Sequence, residues 1–311
     1  MAICIVFLLT LSAMVVYSFR KSKEHPLAED VDVLRMAVYA PYENASAQGA
    51  RKFADLLYER TNGKIRVVIN YITDERSSIL EQVKFGGIDF VQLSTADLSD
   101  SVASIEDLLR PYRFNSYAEL EDAYGNSLAS INDAMRLQKM VPLTIYQTGP
   151  RCLFQKAKSA DSPQDAVVVA VSPSQILYKT VQALGFEPKQ FDPSKQIRLL
   201  REAQIDAVMG DYLDYLSIRK SINLSPPVVM DFQYVPDMLI ASLITMGNFE
   251  RADQEIILQA AEESYAFQRN AYEQAFENTN QEMRRLGVTS HAFDVGKNLT
   301  AYKDLLELKY R

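Results

Sequence analysis

The residues with the most chemistry to offer in this chain are polar groups placed where apolar runs end. Gly149-Pro150-Arg151 separates two such runs near the middle of the chain, and the second of them closes on Val171-Ser172. A guanidinium is planar, permanently charged and able to donate two parallel hydrogen bonds, so an arginine fixed in a turn is suited to gripping a carboxylate. Ser94-Thr95 follows the run Ile88 to Leu93 directly, and hydroxyls at a strand's carboxyl end sit where open α/β sheets bind ligands. Tyr39 closes the run that starts at Val33, and Asp211-Tyr212 follow Ile205 to Met209. The candidate ligand-binding residues are therefore Arg151, Tyr39, Ser94, Thr95, Ser172, Asp211 and Tyr212.

Other chemistries lack their residues. The only histidines are His25 and His291, the only cysteines Cys4 and Cys152, and no two of them have metal-ligand spacing, so neither a metal site nor a cofactor is expected. There is no Gly-Lys-Ser/Thr phosphate loop, no Gly-x-Ser-x-Gly elbow and no His-Glu-x-x-His motif. A serine or cysteine nucleophile would depend on His291 or on a lysine or glutamate base, and no enzyme is expected. Cys152 reads as a small buried apolar residue. A formal charge of −7 without a run of basic residues excludes a phosphate-backbone footprint and with it nucleic acid.

The elements that must position these groups follow from periodicity. Residues 1–19 are almost wholly apolar and are followed by Arg20, Lys21 and Lys23, which reads as a signal peptide or a membrane anchor. A polar linker occupies 20–32. Val33 to Tyr39, Ile65 to Ile69 and Ile88 to Leu93 read as strands, alternating with a helix capped at Asn44 or Ser46 and a shorter one opened by Ser77-Ser78. The apolar side of the first helix is expected to include Ala50, Phe53, Ala54, Leu57 and Tyr58. That alternation implies a parallel sheet. Helices are expected over Tyr117 to Lys139, after Pro173 and after Pro193; Leu143 to Gln147, Pro226 to Phe232 and Met238 to Met246 read as strands. Phe249 to Leu286 has no proline and stops at Gly287, as a long helix bracing two lobes would. A short helix is expected over Thr300 to Lys309.

Several segments in this order resemble one family. Leu34-Arg35-Met36-Ala37-Val38, Phe53 to Leu57 followed by Thr61-Asn62-Gly63-Lys64-Ile65-Arg66-Val67, Leu80 to Val83 followed by Gly86-Gly87-Ile88-Asp89, Leu109 to Phe114, Gly149-Pro150-Arg151, Ser162-Pro163-Gln164-Asp165 and Ala183 to Pro188 are similar to the extracytoplasmic solute-binding proteins of tripartite ATP-independent periplasmic (TRAP) transporters. These are the family 7, dicarboxylate-binding type, and the likeness covers residues 33 to 287. The resemblance implies an α/β, two-lobed periplasmic-binding-protein-like fold with mixed sheets and a long C-terminal bracing helix. It places lobe I at 33–147 and about 233–250, lobe II at 148–232, and the bracing and C-terminal segment at 251–311. It also implies a periplasmic monomer, cleaved or anchored through its N-terminal segment, that binds a small organic acid and hands it to membrane permease subunits.

The departures bear on the ligand. Arg151 matches the family's Gly-x-Arg, but the family's second clamp arginine falls at Ala170, and no arginine lies between Arg151 and Arg198. Asp211 puts an acid where the family usually has a neutral amide. One expectation is a solute-binding protein with an altered pocket, favouring a zwitterionic or neutral ligand held between Arg151 and Asp211. The alternative is a membrane-tethered sensory or scaffold ectodomain that keeps the fold and has a degenerate ligand site.

Overall fold

The computed structural model describes residues 31–72, 76–157 and 167–292. The expected N-terminal segment, nearly all of its linker, the stretch at 162–165 and the expected helix at 300–309 lie outside the described residues.

Two mixed sheets form the two lobes. In the first, β1 (Asp32–Val38), β2 (Ile65–Tyr71) and β3 (Phe90–Ser94) run parallel, connected by α1 (Ala45–Arg60) and α2 (Arg76–Lys84) as the sequence alternation predicts. The Asn44 side chain accepts from the Ser46 backbone N–H and caps α1, and Gly63, at φ +82°, turns the chain into β2. After α3 (Ala103–Leu108) and α4 (Tyr117–Leu137) comes β4 (Met140–Tyr146). The chain then crosses to the second sheet through residues 147–149. There it forms β5 (Pro150–Gln155), β6 (Val168–Val171), α5 (Gln175–Ala183), β7 (Glu187–Gln190), α6 (Pro193–Arg201), β8 (Ala207–Asp211), α7 (Asp214–Arg219) and β9 (Val228–Tyr234). It returns through Val235-Pro236 into β10 (Asp237–Ser242), which inserts antiparallel between β3 and β4. The strand orders are β2-β1-β3-β10-β4 and β11-β9-β5-β8-β6-β7, where β11 is His291–Ala292.

Differences from the sequence reading have physical causes. The apolar run 238–246 is strand only to Ser242; Leu243–Gly247 forms α8, because an unbroken apolar run has no period to separate a covered strand from a buried helix. Tyr58 is exposed rather than part of the buried side of α1. The strand β7 carried no signal, since Pro188 argues against a strand, but β7 lies at a sheet edge, where a missing N–H is tolerated. Cys152 is fully buried, and burial pushes its thiol well above the ordinary range, as expected of an apolar filler.

The long helix α9 (Arg251–Arg285) is continuous, 35 residues or about 52 Å. Ser264, Gln268, Tyr272, Phe276 and Asn280, spaced four apart, form one slowly winding row along it. Ser264 Oγ meets Tyr146 Oη at 2.9 Å, while Gln268 accepts from the Gln147 N–H at 2.9 Å and donates to its carbonyl at 2.7 Å. Further along, Phe276 packs on Tyr212, whose hydroxyl donates to Asn280 Oδ1 at 2.8 Å. One helix thus holds the end of the first sheet and the back of the second. Gly49 lets α1 approach it, because a Cβ there would lie 2.8 Å from Gln268 Cβ.

Candidate functional site

A cavity of about 690 Å³ opens between the two sheets, at the carboxyl ends of β1, β3, β6 and β8 and beside the crossing segments. Tyr39, Ser94, Arg151, Ser172 and Asp211 line it. Thr95 and Tyr212 are placed elsewhere. The Thr95 side chain is buried and donates to the Pro236 carbonyl at 2.7 Å, and Tyr212 is buried against α9. Along a strand successive side chains point to opposite faces. Ala170 is fully buried among Cys152, Phe154 and Val208; Ser172, two residues on, is the lining position from that segment.

Arg151 faces Asp211 across the antiparallel β5–β8 pair, and a register shift between Pro150 and Arg151 re-aims the strand there. One guanidinium nitrogen donates to the Met209 carbonyl at 2.8 Å, while the buried Nε has no hydrogen-bond partner among the described residues. Burial lowers the Arg151 pKa, opposed by the charges of Asp211 and Asp214. Asp211 is committed to the backbone: Oδ2 accepts from the Gly149 N–H at 2.6 Å and Oδ1 from the Leu213 N–H at 2.8 Å. It thereby ties the crossing segment to the turn before α7. Burial raises its pKa, and those two N–H groups with Arg151 oppose the rise.

Several lining residues gave no sequence signal. Asp214, on the first turn of α7, is pushed up to about 7 by burial and then by the neighbouring Asp211 charge, with Arg151 acting the other way. Asp237 accepts from Gln92 Nε2 at 2.7 Å, and the Gln92 oxygen accepts from the Tyr39 N–H at 3.1 Å, so one buried glutamine orients two lining residues. Thr148 Oγ1 donates to the Val235 carbonyl at 2.8 Å and joins the outgoing crossing to the returning one. Tyr272 reaches the cavity from α9; its hydroxyl lies 2.6 Å from where a Cβ on Gly149 would be, so a side chain there would have to displace it. The four-residue row on α9 was the signal that could have found Tyr272.

No hydrolytic constellation assembles among the described residues: His291 is exposed on the edge strand and does not line the cavity. Nor does any group of three histidine, cysteine or carboxylate side chains there stand ready to hold a metal ion.

Comparison with known proteins agrees with this architecture. Residues 36–304 match the model of the bacterial extracellular solute-binding proteins, family 7. A protein of Chromohalobacter salexigens described as a solute-binding protein is 21% identical over 261 residues, 81% of this chain and 76% of its own length. Among solved structures, a TRAP periplasmic solute-binding protein from a Sulfitobacter species, with bound β-D-galacturonate, superposes with a TM-score of 0.80. It is 16% identical, and the match covers 89% of this chain and 94% of that one. A TRAP protein from Citrobacter koseri with bound D-glucuronate also gives 0.80, at 19% identity, covering 90% and 95%. With 269 of 311 residues inside the family match and two lobes braced by one helix, this chain belongs to the bacterial extracellular solute-binding proteins of family 7.

Proposed function

We propose that this chain is the extracytoplasmic receptor of a TRAP-type transport system and closes its interlobe cleft on a small organic acid or related solute. The observation that carries this is Arg151, a cationic fork at the cavity wall whose Nε lacks a partner among the described residues. A buried donor left unmade costs roughly 1–3 kcal/mol, a cost that a ligand carboxylate would relieve. The uronates in the related structures are acids of that class. Tyr39, Ser94 and Ser172 supply hydroxyls around the same space, and the bidentate fit of guanidinium to carboxylate gives Arg151 the orienting role. Asp211 holds the crossing segment rather than the solute.

Lobe I is assigned to 33–147 with the return strand to about 250, lobe II to 148–232, and the brace to 251–311. The membership of the two sheets supports this division, and the continuation of β9 through Tyr234 supports a return crossing at Val235-Pro236. Bending at the two crossings, with α9 as the third link, would close the cleft. In this reading a monomer acts in the periplasm, with residues 1–19 as signal peptide or anchor, and passes its solute to permease subunits.

Gently purified protein, denatured and analysed by mass spectrometry, is expected to release a small solute bearing a carboxylate. The Arg151→Ala variant is expected to release none. A protein that carries nothing and shows no thermal shift across a broad library of organic acids and amino acids would refute the reading.

A further inference from the structure

The charges lining the cavity are lopsided. Arg151 is the only lysine or arginine on its wall among the described residues, against Asp192, Asp211, Asp214 and Asp237. Three of these acids are engaged: Asp211 holds the Gly149 and Leu213 N–H groups, Asp192 caps α6 through the Ser194 N–H, and Asp237 accepts from Gln92 Nε2. Asp214 differs, since no cationic side chain among the described residues approaches it closely enough to form an ion pair. Its field includes Asp211 and Asp237 as well as Arg151.

An acidic cluster alone would say little, but neighbouring polar groups point to an occupant. Tyr272 is 6% exposed and Ser46 2% exposed; both line the cavity, and neither hydroxyl makes a hydrogen bond with a described residue. The Gln147 Oε1 atom is buried without a partner among the described residues. The Gln147 amide oxygen and the carboxylates are acceptors, the hydroxyls can accept or donate, and Arg151 is the one cationic donor on this wall among the described residues. A protonated amine has three donors and no acceptor. A uronate or dicarboxylate would bring more negative charge to a wall already rich in it.

We propose that the solute carries a protonated amine seated against Asp214, in the field of Asp237, together with a carboxylate on Arg151. This rests on the reading of the cleft as a solute site, and it moves the amine subsite from Asp211, whose oxygens are engaged, to Asp214.

The test is titration calorimetry of the purified full chain with matched probes that differ in one group: succinate against β-alanine, glutarate against 4-aminobutyrate, and D-galacturonate against 2-amino-2-deoxy-D-galacturonate. It is paired with identification of the solute carried through purification. At pH 8 the amino acids are expected to bind at least tenfold more tightly than the matching diacids, and the co-purified solute to contain an amine. Asp214→Asn is expected to cut that preference about tenfold while the protein stays folded. A diacid or uronate binding more tightly, a co-purified acid without an amine, or a preference unchanged in Asp214→Asn would overturn the amine subsite and leave the solute-binding reading intact. Absence of any binding and of any carried solute would overturn both.

Discussion

The two walls of the cleft are built differently. The wall on the first sheet is mostly neutral, with Tyr39, Asn44, Ser46, Ser94 and Gln147, and Asp237 as its carboxylate. The wall on the second sheet carries Arg151, Asp192, Asp211 and Asp214. Two like charges 4 Å apart cost about 4 kcal/mol at an effective dielectric of 20, so the second wall discriminates strongly by the sign and placement of ligand charge. The hydroxyls and amides of the first wall discriminate by shape and hydrogen bonding.

The walls are also fixed differently. The charged wall is tied from within, through Asp211 and the Met209 carbonyl. The neutral wall is held from behind by α9, where Gln268 pairs with both backbone groups of Gln147. Removing a group from each should therefore affect different observables. Arg151→Ala should weaken solute binding by about 3 kcal/mol, roughly a hundredfold, because a charge-assisted pair is lost at a desolvated site. Its melting temperature should change little, since Arg151 makes one backbone hydrogen bond and carries a desolvation cost of its own. An affinity within threefold of the parent protein, measured by calorimetry, would mean the charged wall does not select the solute.

Gln268→Ala should do the reverse. Gln268 is fully buried, and its loss leaves a buried N–H and C=O unpaired beside a small void. We expect a destabilisation of about 2 kcal/mol by urea unfolding, with the affinity of the folded protein nearly unchanged. A loss of affinity without a loss of stability would show that α9 shapes the neutral wall rather than merely holding it.

The sequence made the scaffold legible more than the site, for physical reasons. Alternating apolar runs with Asn44, Gly63 and Gly287 as punctuation specify local elements, and each acts over a few residues. The site depends on pairings over long sequence separations, such as Gln92 with Asp237 and Gln147 with Gln268. No local pattern encodes those. Arg151 was legible because a Gly-Pro pair set it apart. Asp214 was hidden inside Leu213 to Tyr215, where it looks like an ordinary polar residue of a short helix. Thr95 and Tyr212 were expected at the site because strand ends were recognisable, but which of two adjacent residues faces the cleft depends on the exit geometry of each strand.

Asp214 also gives the smallest and most specific effect, through pH. Its folded pKa is raised to about 7, against roughly 3.9 in an unfolded chain. The folded state therefore binds the proton more tightly, and the stabilisation from this group is fully present below pH 4 and lost as pH rises through 7. The groups that set this are Asp211 beside it, Arg151 on β5 and Asp237 on β10. Asp211, itself raised by burial, adds to the same trend. In solute-free protein, Asp214→Asn should match the parent below pH 4 and melt about 2–4 °C higher at pH 8.5, equivalent to about 1 kcal/mol. Adding 4-aminobutyrate at pH 8.5 should close the gap, since an ammonium against ionised Asp214 adds a closer charge partner than Arg151. A gap that stays constant from pH 5 to 8.5 would mean that Asp214 is solvated rather than pressed against Asp211, and that the two walls differ less in charge than their residues suggest.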